Sequence, residues 1–598
     1  MAKLSGCEFI AEYLIKEGMP FVTGLPGHAM MAWEDAFKDR QDRIGMFCVK
    51  HEQSALHLAD GYFRACHKPI ACFTSAGPGA INTLIGLATA YVDSMPIVLF
   101  TANVPTQFFD KDALQSLDMQ HVSDINQMIR PAVKRSWQVT HIHQLPDILQ
   151  NAFRIALSGR PGPVHIDLPQ DVQADSIDAK VPDPEYHKVS SRLLGDPECI
   201  RRGVDLLWKA RRPAMLIGGG VLLSEAWREM RAIAEYLGAP VVTTVQGKGA
   251  IAEDHPLSLF YGGSKGSTCG NKVMQDADVI LAVGCRFAEW TCSSYMPGAT
   301  FNIPPTKLIH VDIDPREIGK NYPVEVPVLG DAKTCLAEML ELLRAKGPQR
   351  PYPESPYFRQ LQGWKKEWLD RLATQLRDCR PMPMSVALKE LREFLPRDAI
   401  VVGAAGHPQH QLFNEFPVYE PLSHISTGGY STLGWCIPAS IGIKLAKPEK
   451  MVVAVTGDGD FLMTCQELAT AVQYDVPIVI VVMNNFGWIS IRDLQHSEYG
   501  PDRYYGNEFV RKSTGKLYNP RFAEMARTFD AFGELVTEPE EIKPALQRAF
   551  DSGIPALVEI HTARNFPESA GIVAGFQLFP VPERYRKPLT GKDTPSGA

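Results

Sequence analysis

The chain has 598 residues, 45% apolar and 22% charged, with a formal net charge of -7; that is long enough for about three or four domains with their own cores. No basic stripe speaks for nucleic acid, no apolar run approaches the ~20 residues that cross a bilayer, and the 12 cysteines form no zinc-type grouping. Small molecules are the partners this leaves, and an opening Met1-Ala2-Lys3-Leu4-Ser5 without an apolar stretch or cleavage site points to the cytoplasm.

Short β-branched runs alternate with helix-length segments, the rhythm of parallel α/β sheets. In the first block these runs include Phe21-Val22-Thr23, Ile70-Ala71-Cys72-Phe73, Ile97-Val98-Leu99-Phe100 and Val164-His165-Ile166-Asp167. After the first lies Leu25-Pro26-Gly27-His28-Ala29, and further on Glu52 opens an apolar helix-like run with Ala55, Leu58, Ala59 and Tyr62. A carboxylate there is either a helix N-terminal charge or a buried acid. Thr74-Ser75-Ala76-Gly77-Pro78-Gly79-Ala80-Ile81-Asn82 reads as a glycine-rich turn, and Gln120 sits in Met119-Gln120-His121. Linkers rich in proline divide the chain into residues 1–185, 195–345 and 380–565, with an arm over 566–598. The middle block carries Ile217-Gly218-Gly219-Gly220, Gly263-Ser264-Lys265-Gly266, Gly284-Cys285-Arg286-Phe287 and a stretch around Asp312, and the first and third blocks read as two copies of one architecture.

The third block holds the strongest motif. Gly457-Asp458-Gly459-Asp460 follows the run Val452-Val453-Ala454-Val455-Thr456, where a parallel strand gives way to a helix and phosphates bind. Glycine lets the backbone approach; Asp458 offers a hard oxygen to a small divalent cation. Asn484-Asn485 follows the next apolar run, Ile478 to Met483, so a second ligand falls at the end of a neighbouring strand. Either fragment alone reads as a turn; together they read as a diphosphate–magnesium site.

Gly-Asp-Gly followed after 27 residues by Asn-Asn resembles the thiamine diphosphate motif, and the chain around it is similar to the acetohydroxyacid synthase and pyruvate oxidase family. The resemblance implies three doubly wound parallel-sheet α/β domains: a pyrimidine-binding domain, a Rossmann-like middle domain and a diphosphate-binding domain. By the same likeness Asp458, Asn485 and the main-chain oxygen of Gly487 hold Mg2+, while Gly457, Gly459, Asp460 and Gln409 and His410 of Pro408-Gln409-His410-Gln411 line the diphosphate. Leu433 props the cofactor and the main-chain oxygen of Ser431 receives its aminopyrimidine hydrogen. Glu52 becomes the proton-relay acid. In the middle block the likeness implies FAD, contacted by Gly218, Gly219, Lys265, Arg286, Asp312 and Asp331, although Lys265 replaces the family's usual histidine and Ala288-Glu289 its acidic pair. It also implies a homodimer or homotetramer with the cofactor between subunits.

For the reaction, His28, Asn484 and Gln120 are polar groups expected beside the reactive carbon, with Glu52 as the fourth catalytic residue. They suit a substrate with adjacent carbonyls, one attacked and the other hydrated. The expected activity is therefore hydrolytic ring opening of cyclohexane-1,2-dione to 6-oxohexanoate. The alternatives are an acetolactate-synthase-like carboligase of 2-oxoacids and a non-catalytic binding or regulatory subunit. The intact Glu52, Asp458 and Asn485 speak against the last, and Asn485-Phe486-Gly487-Trp488-Ile489-Ser490-Ile491, without a Gly-Met-Val-Arg-Gln pattern, against the carboligase.

Overall fold

A computed structural model of the chain describes residues 3–117, 124–403, 405–564 and 580–585. Three six-stranded sheets follow one another along it, and their strand pairings are all parallel. The first sheet runs Gly45–Cys48, Phe21–Leu25, Ala71–Thr74, Val98–Asn103, Val164–Pro169, Arg135–Gln138. Counted by appearance in the chain, its strand order is second, first, third, fourth, sixth, fifth. The third sheet, His424–Ser426, Ile400–Gly403, Val452–Gly457, Val479–Asn484, Ala556–His561, Phe532–Val536, repeats that order. The middle sheet differs: Ser258–Tyr261, Val241–Thr243, Pro213–Ile217, Val279–Val283, Lys307–Asp312, Val326–Leu329, with the chain reversing direction of travel beside its first strand.

The central strands are nearly continuous apolar runs because helices cover both faces of each sheet. Val98–Asn103 and Val479–Asn484 are buried at every residue. The apolar run Ile478 to Met483 locates the second to within a residue, while Ile97 to Phe100 stops three residues short of the end of the first. Gly45–Cys48 and Arg135–Gln138 left no such run, since they are edge strands whose residues stay partly exposed. No helix among the described residues is long and apolar enough to cross a membrane.

The first and third domains meet through two helices, Glu52–Cys66 and Cys436–Ala446. A Cβ at Gly61 would lie 2.2 Å from the carbonyl oxygen of Ala439, and one at Gly442 would lie 2.0 Å from that of Leu58. The helices therefore touch backbone to backbone. Beside this contact Arg64 is buried and binds across all three domains. Its Nε donates to Asp60 Oδ1 at 2.5 Å and its Nη2 to Asp93 Oδ2 at 2.9 Å. Its Nη1 donates to Gln246 Oε1 and to the carbonyl of Ser426, both at 3.1 Å. Trp435 Nε1 closes the cluster onto Asp60 Oδ2 at 2.9 Å.

Two expectations follow. Gly442→Ala should cost about 2–3 kcal/mol, because its neighbour is rigid backbone rather than a side chain that can turn away; thermal melting should show a midpoint lowered by several degrees, and an unchanged midpoint would refute the close contact. Burial also holds His57, His165 and His424 at pKa values of about 3, against an ordinary 6.5. Between those values the unfolded chain binds more protons than the folded one. Stability should be full above about pH 6.5 and fall as pH drops towards 3, by about 1.4 kcal/mol per pH unit for each histidine. Denaturant titrations at pH 7 and 5 measure this.

Candidate functional site

Strand Val452–Gly457 ends on Gly457, which is the N-cap of helix Asp458–Thr464. The motif is thus the first turn of a helix rather than a free turn ahead of one. Asp458 is buried, and its oxygens accept from Gly459 N at 3.0 Å, Gly487 N at 3.0 Å and Asn519 Nδ2 at 2.7 Å. Burial pushes its carboxyl up to about 6, against these hydrogen bonds. Asn485 follows the neighbouring strand Val479–Asn484, and its buried Oδ1 has no hydrogen-bond partner among the described residues. A Cβ at Gly487, φ +157°, would strike the carbonyl oxygen of Asn507 at 2.4 Å, so only glycine carries the chain past this point. A divalent cation fits these residues. It would stabilise the charge that burial penalises on Asp458 and satisfy the orphaned oxygen of Asn485.

The other half of the expected chemistry lies at the ends of the first sheet's strands. Glu52 begins helix Glu52–Cys66, is 8% exposed, and accepts from Asn82 Nδ2 at 2.9 Å. A Cβ at Gly79 would lie 3.3 Å from its Oε1 and 2.6 Å from Thr74 Oγ1, so the glycine-rich turn wraps the carboxylate. His28 opens the short helix His28–Met30 after strand Phe21–Leu25, and its side chain is exposed. Gly27 before it packs on Ser75, whose Oγ would be 2.6 Å from an added Cβ. Gln120 lies outside the described residues. Glu52 and Asp458 each hydrogen-bond within their own domain, and among the described residues no hydrogen bond links the two.

Gln409 and His410 fall on helix His407–Glu415, both buried. Gln409 Nε2 donates to Ser426 Oγ and to the carbonyl of Thr427, each at 2.9 Å, and its Oε1 accepts from Ser431 Oγ at 3.4 Å. Ser431 has φ +48° and Leu433 is half-buried, both on the loop that precedes helix Cys436–Ala446. Gly459 faces Trp488, whose ring an added Cβ would meet at 2.4 Å.

Several expected contacts are corrected by the structure. Asn484 does not offer a free amide: its Nδ2 donates to Glu559 Oε1 at 2.8 Å, and its Oδ1 accepts from Asn519 Nδ2 at 2.8 Å and from Phe486 N. It braces the loop. Asp460 is likewise spent, accepting from Gly434 N at 2.6 Å and Thr456 Oγ1 at 2.8 Å, and so ties the Leu433 loop to the strand. Asn519, which orients Asp458, left no signal in the sequence beyond loop composition; Asn82, which orients Glu52, closes the glycine-rich segment without standing out in it.

A cavity of about 520 Å³ opens where the middle domain's strand order reverses, walled also by Arg64 and Arg160 of the first domain and by Ser426 and Ser431 of the third. Gly218, Gly219, Arg286, Asp312 and Asp331 all line it; Lys265 does not. Gly218 is needed because a Cβ would lie 2.0 Å from the carbonyl oxygen of Gly284. Burial raises Asp312 to about 6. Asp331 caps helix Ala332–Lys346, accepting from Lys333 N at 3.0 Å and Thr334 N at 3.3 Å, so its carboxylate is largely used by the fold.

Three family models match the chain: the thiamine pyrophosphate enzyme N-terminal TPP binding domain over residues 4–122, the central domain over 200–339, and the C-terminal TPP binding domain over 404–560. The chain is 35% identical over 578 residues to a probable acetolactate synthase large subunit of Methanocaldococcus jannaschii, covering 93% of this chain and 92% of that one. It is 34% identical to the acetolactate synthase large subunit of Haemophilus influenzae and to the isozyme 3 large subunit of Escherichia coli, covering in each case 92% of this chain and 93% of the relative. The chain belongs to the thiamine pyrophosphate enzyme family. These relatives overturn the expected hydrolase: they are named as synthases, and the hydrolytic opening of cyclohexane-1,2-dione has no counterpart among them. None of the matched descriptions mentions a flavin.

Asp458→Ala should abolish retention of thiamine diphosphate; Asp458→Asn, which keeps the shape of a side chain that is buried and hydrogen-bonded to Gly487 N and Asn519, should lose it as well with the fold intact. Titration calorimetry with the cofactor and Mg2+ measures it; stoichiometric binding by either variant would place the anchor elsewhere.

Proposed function

We propose that the chain is a carboligase of 2-oxoacids that works with thiamine diphosphate and Mg2+, in the manner of an acetolactate synthase. The observation that carries this reading is the buried pair of Asp458 and the unpartnered Asn485 oxygen, in a chain whose relatives bear that name along nearly their whole length. When bound, thiamine diphosphate supplies a carbon nucleophile that holds the electron pair released on decarboxylation. Asp458, Asn485 and the Gly487 carbonyl would hold the metal, and Gln409 and the Ser431–Leu433 loop would orient the cofactor. Glu52, fixed by Asn82, would carry a proton to and from it. The departure at Phe486-Gly487-Trp488 then bears on which 2-oxoacids are accepted, since a Trp488 ring packed on Gly459 narrows that side of the cleft.

Glu52 and Asp458 belong to separate domains and each is satisfied within its own, which supports a site completed by a second copy of the chain, as a homodimer or homotetramer. Relatives named as large subunits support a smaller companion chain as well. A cytoplasmic location agrees with this set of partners. The flavin part of the cofactor reading rests on the middle-domain cavity alone: its position and glycine turn suit an adenine dinucleotide. If FAD occupies it, purified protein is yellow and Arg286→Ala is not; colourless protein that takes up no FAD on reconstitution would remove it.

The deciding experiment is incubation of the purified chain with thiamine diphosphate, Mg2+ and pyruvate. Release of carbon dioxide together with acetolactate supports the proposal, and no carboligation product from pyruvate or 2-oxobutyrate overturns it. Glu52→Gln should lower kcat by at least about 100-fold, with cofactor affinity changed little; near-normal turnover would remove Glu52 from the reaction.

A further inference from the structure

We propose that Lys265 seats the carboxylate of the 2-oxoacid substrate in a niche between the middle and third domains, completed by Trp290 and His410. This rests on the carboligase reading for the substrate's identity and on the geometry alone for the niche.

Lys265 lies on the turn Gly263-Ser264-Lys265-Gly266, which is fixed on two sides. Ser264 N donates to the carbonyl of Trp290 at 2.8 Å, and a Cβ at Gly263 would lie 2.3 Å from that same oxygen. From the third domain, Asn414 Nδ2 donates to the carbonyl of Lys265 at 2.7 Å. The turn thus has one position relative to helix His407–Glu415. Lys265 Nζ stands 5.9 Å from the centroid of the Trp290 ring, and that ring stands 4.9 Å from the ring of His410.

Two groups in this niche lack partners. No carboxylate among the described residues comes within ion-pair distance of Lys265 Nζ; Glu289 acts on it only from farther away, and its own carboxylate accepts from Ser294 Oγ. His410 is 5% exposed, and among the described residues neither of its ring nitrogens has a hydrogen-bond partner. Burial lowers Lys265 to about 8, which leaves it mostly charged near neutrality. Burial and the nearby Lys265 charge hold His410 neutral, with one nitrogen free to donate. A half-buried ammonium with no carboxylate beside it, next to a buried and unsatisfied imidazole, is costly, and one anion satisfies both.

The chemistry favours a carboxylate. One ammonium and one neutral donor match a single negative charge, and the Trp290 face suits the short carbon chain attached to it. A diphosphate would demand more charge, and the Asp458–Asn485 cradle lies on other elements. Gln409, which orients Ser431, is adjacent to His410 in the same helix, so an anion held here stands next to the cofactor loop.

The test uses holoenzyme and two probes. Titration calorimetry with oxamate, a carboxylate that cannot react, should show binding at least tenfold weaker in Lys265→Met than in the parent, with Lys265→Arg close to the parent. In steady state, Lys265→Met should raise KM at least tenfold for pyruvate but leave the inhibition constant of uncharged methyl pyruvate, which can bind but has no carboxylate to release, nearly unchanged, with the Kd for thiamine diphosphate unaltered. Should Lys265→Met not fold, Lys265→Gln serves in the same two assays. Unchanged oxamate binding, or equal losses for pyruvate and its ester, would overturn the assignment. So would a loss of cofactor affinity as large as the loss of oxamate affinity, which would make the anion the diphosphate. If the parent turns over no 2-oxoacid, the carboligase reading falls while the oxamate comparison still decides Lys265.

Discussion

The constraint on which the rest of the structure depends is the burial of one guanidinium. Arg64 comes from the first domain, yet it reaches Gln246 of the middle domain and the Ser426 carbonyl of the third. Desolvation works against its charge, and Asp60 and Asp93 more than compensate, so the guanidinium stays firmly protonated. Asp93 uses its remaining capacity on Gly428 N at 2.8 Å and Gly429 N at 3.0 Å. Those residues begin the loop that carries Ser431 and Leu433. Arg64, Asp93 and Gln246 also line the middle-domain cavity. A single ion cluster therefore sets the loop of Ser431 and Leu433 and the wall of the cavity together. Breaking one member would leave the others charged and unpaired out of water.

Equal strand order in the first and third domains puts their functional residues at corresponding places. In each sheet the switch point lies between the first and third strands, and ligands gather outside the strand ends there. In the first domain that place holds the Gly27-His28 loop and the turn after Thr74, with Glu52 close by. In the third it holds the helix starting at His407 and the Gly457-Asp458 corner. One copy keeps the buried acid Glu52 near that place, and the other the buried acid Asp458.

How much of this was legible in the sequence depended on whether a residue's task was local. Gly457-Asp458 and Asn485 stand out in the sequence because glycine and short polar residues at two neighbouring strand ends make a short, fixed pattern. Glu52 could be read because it opens an amphipathic helix. Asn484 and Asp460 were misread as facing the ligand, since sequence shows that a polar residue sits at a strand end but not which way it turns. Both turn inward, to Glu559 and Asn519 in one case and to Gly434 and Thr456 in the other. Asn519, 61 residues beyond Asp458, could be found only once the chain had closed on itself. The reaction was the least legible of all: polar groups near a cleft suggested a hydrated dicarbonyl, whereas the family relationship is spread over the whole chain and outweighs any one loop.

The backbone contact at Gly61 and Gly442 has a consequence for how such an enzyme can diversify. Side chains between two domains act as cushions: exchanging one for another of different size tilts the pair by a few degrees. At this crossing no cushion exists, so the two helices cannot shift against each other by gradual substitution there, whereas side chains such as Tyr474 on Phe47 and Thr432 on Thr89 fill the rest of the seam. Selection for new chemistry is steered into the parts that meet through side chains instead, above all the wedge where Lys265 and Trp290 face His410. The hinge of evolutionary change and the rigid frame of the molecule thus occupy different interfaces.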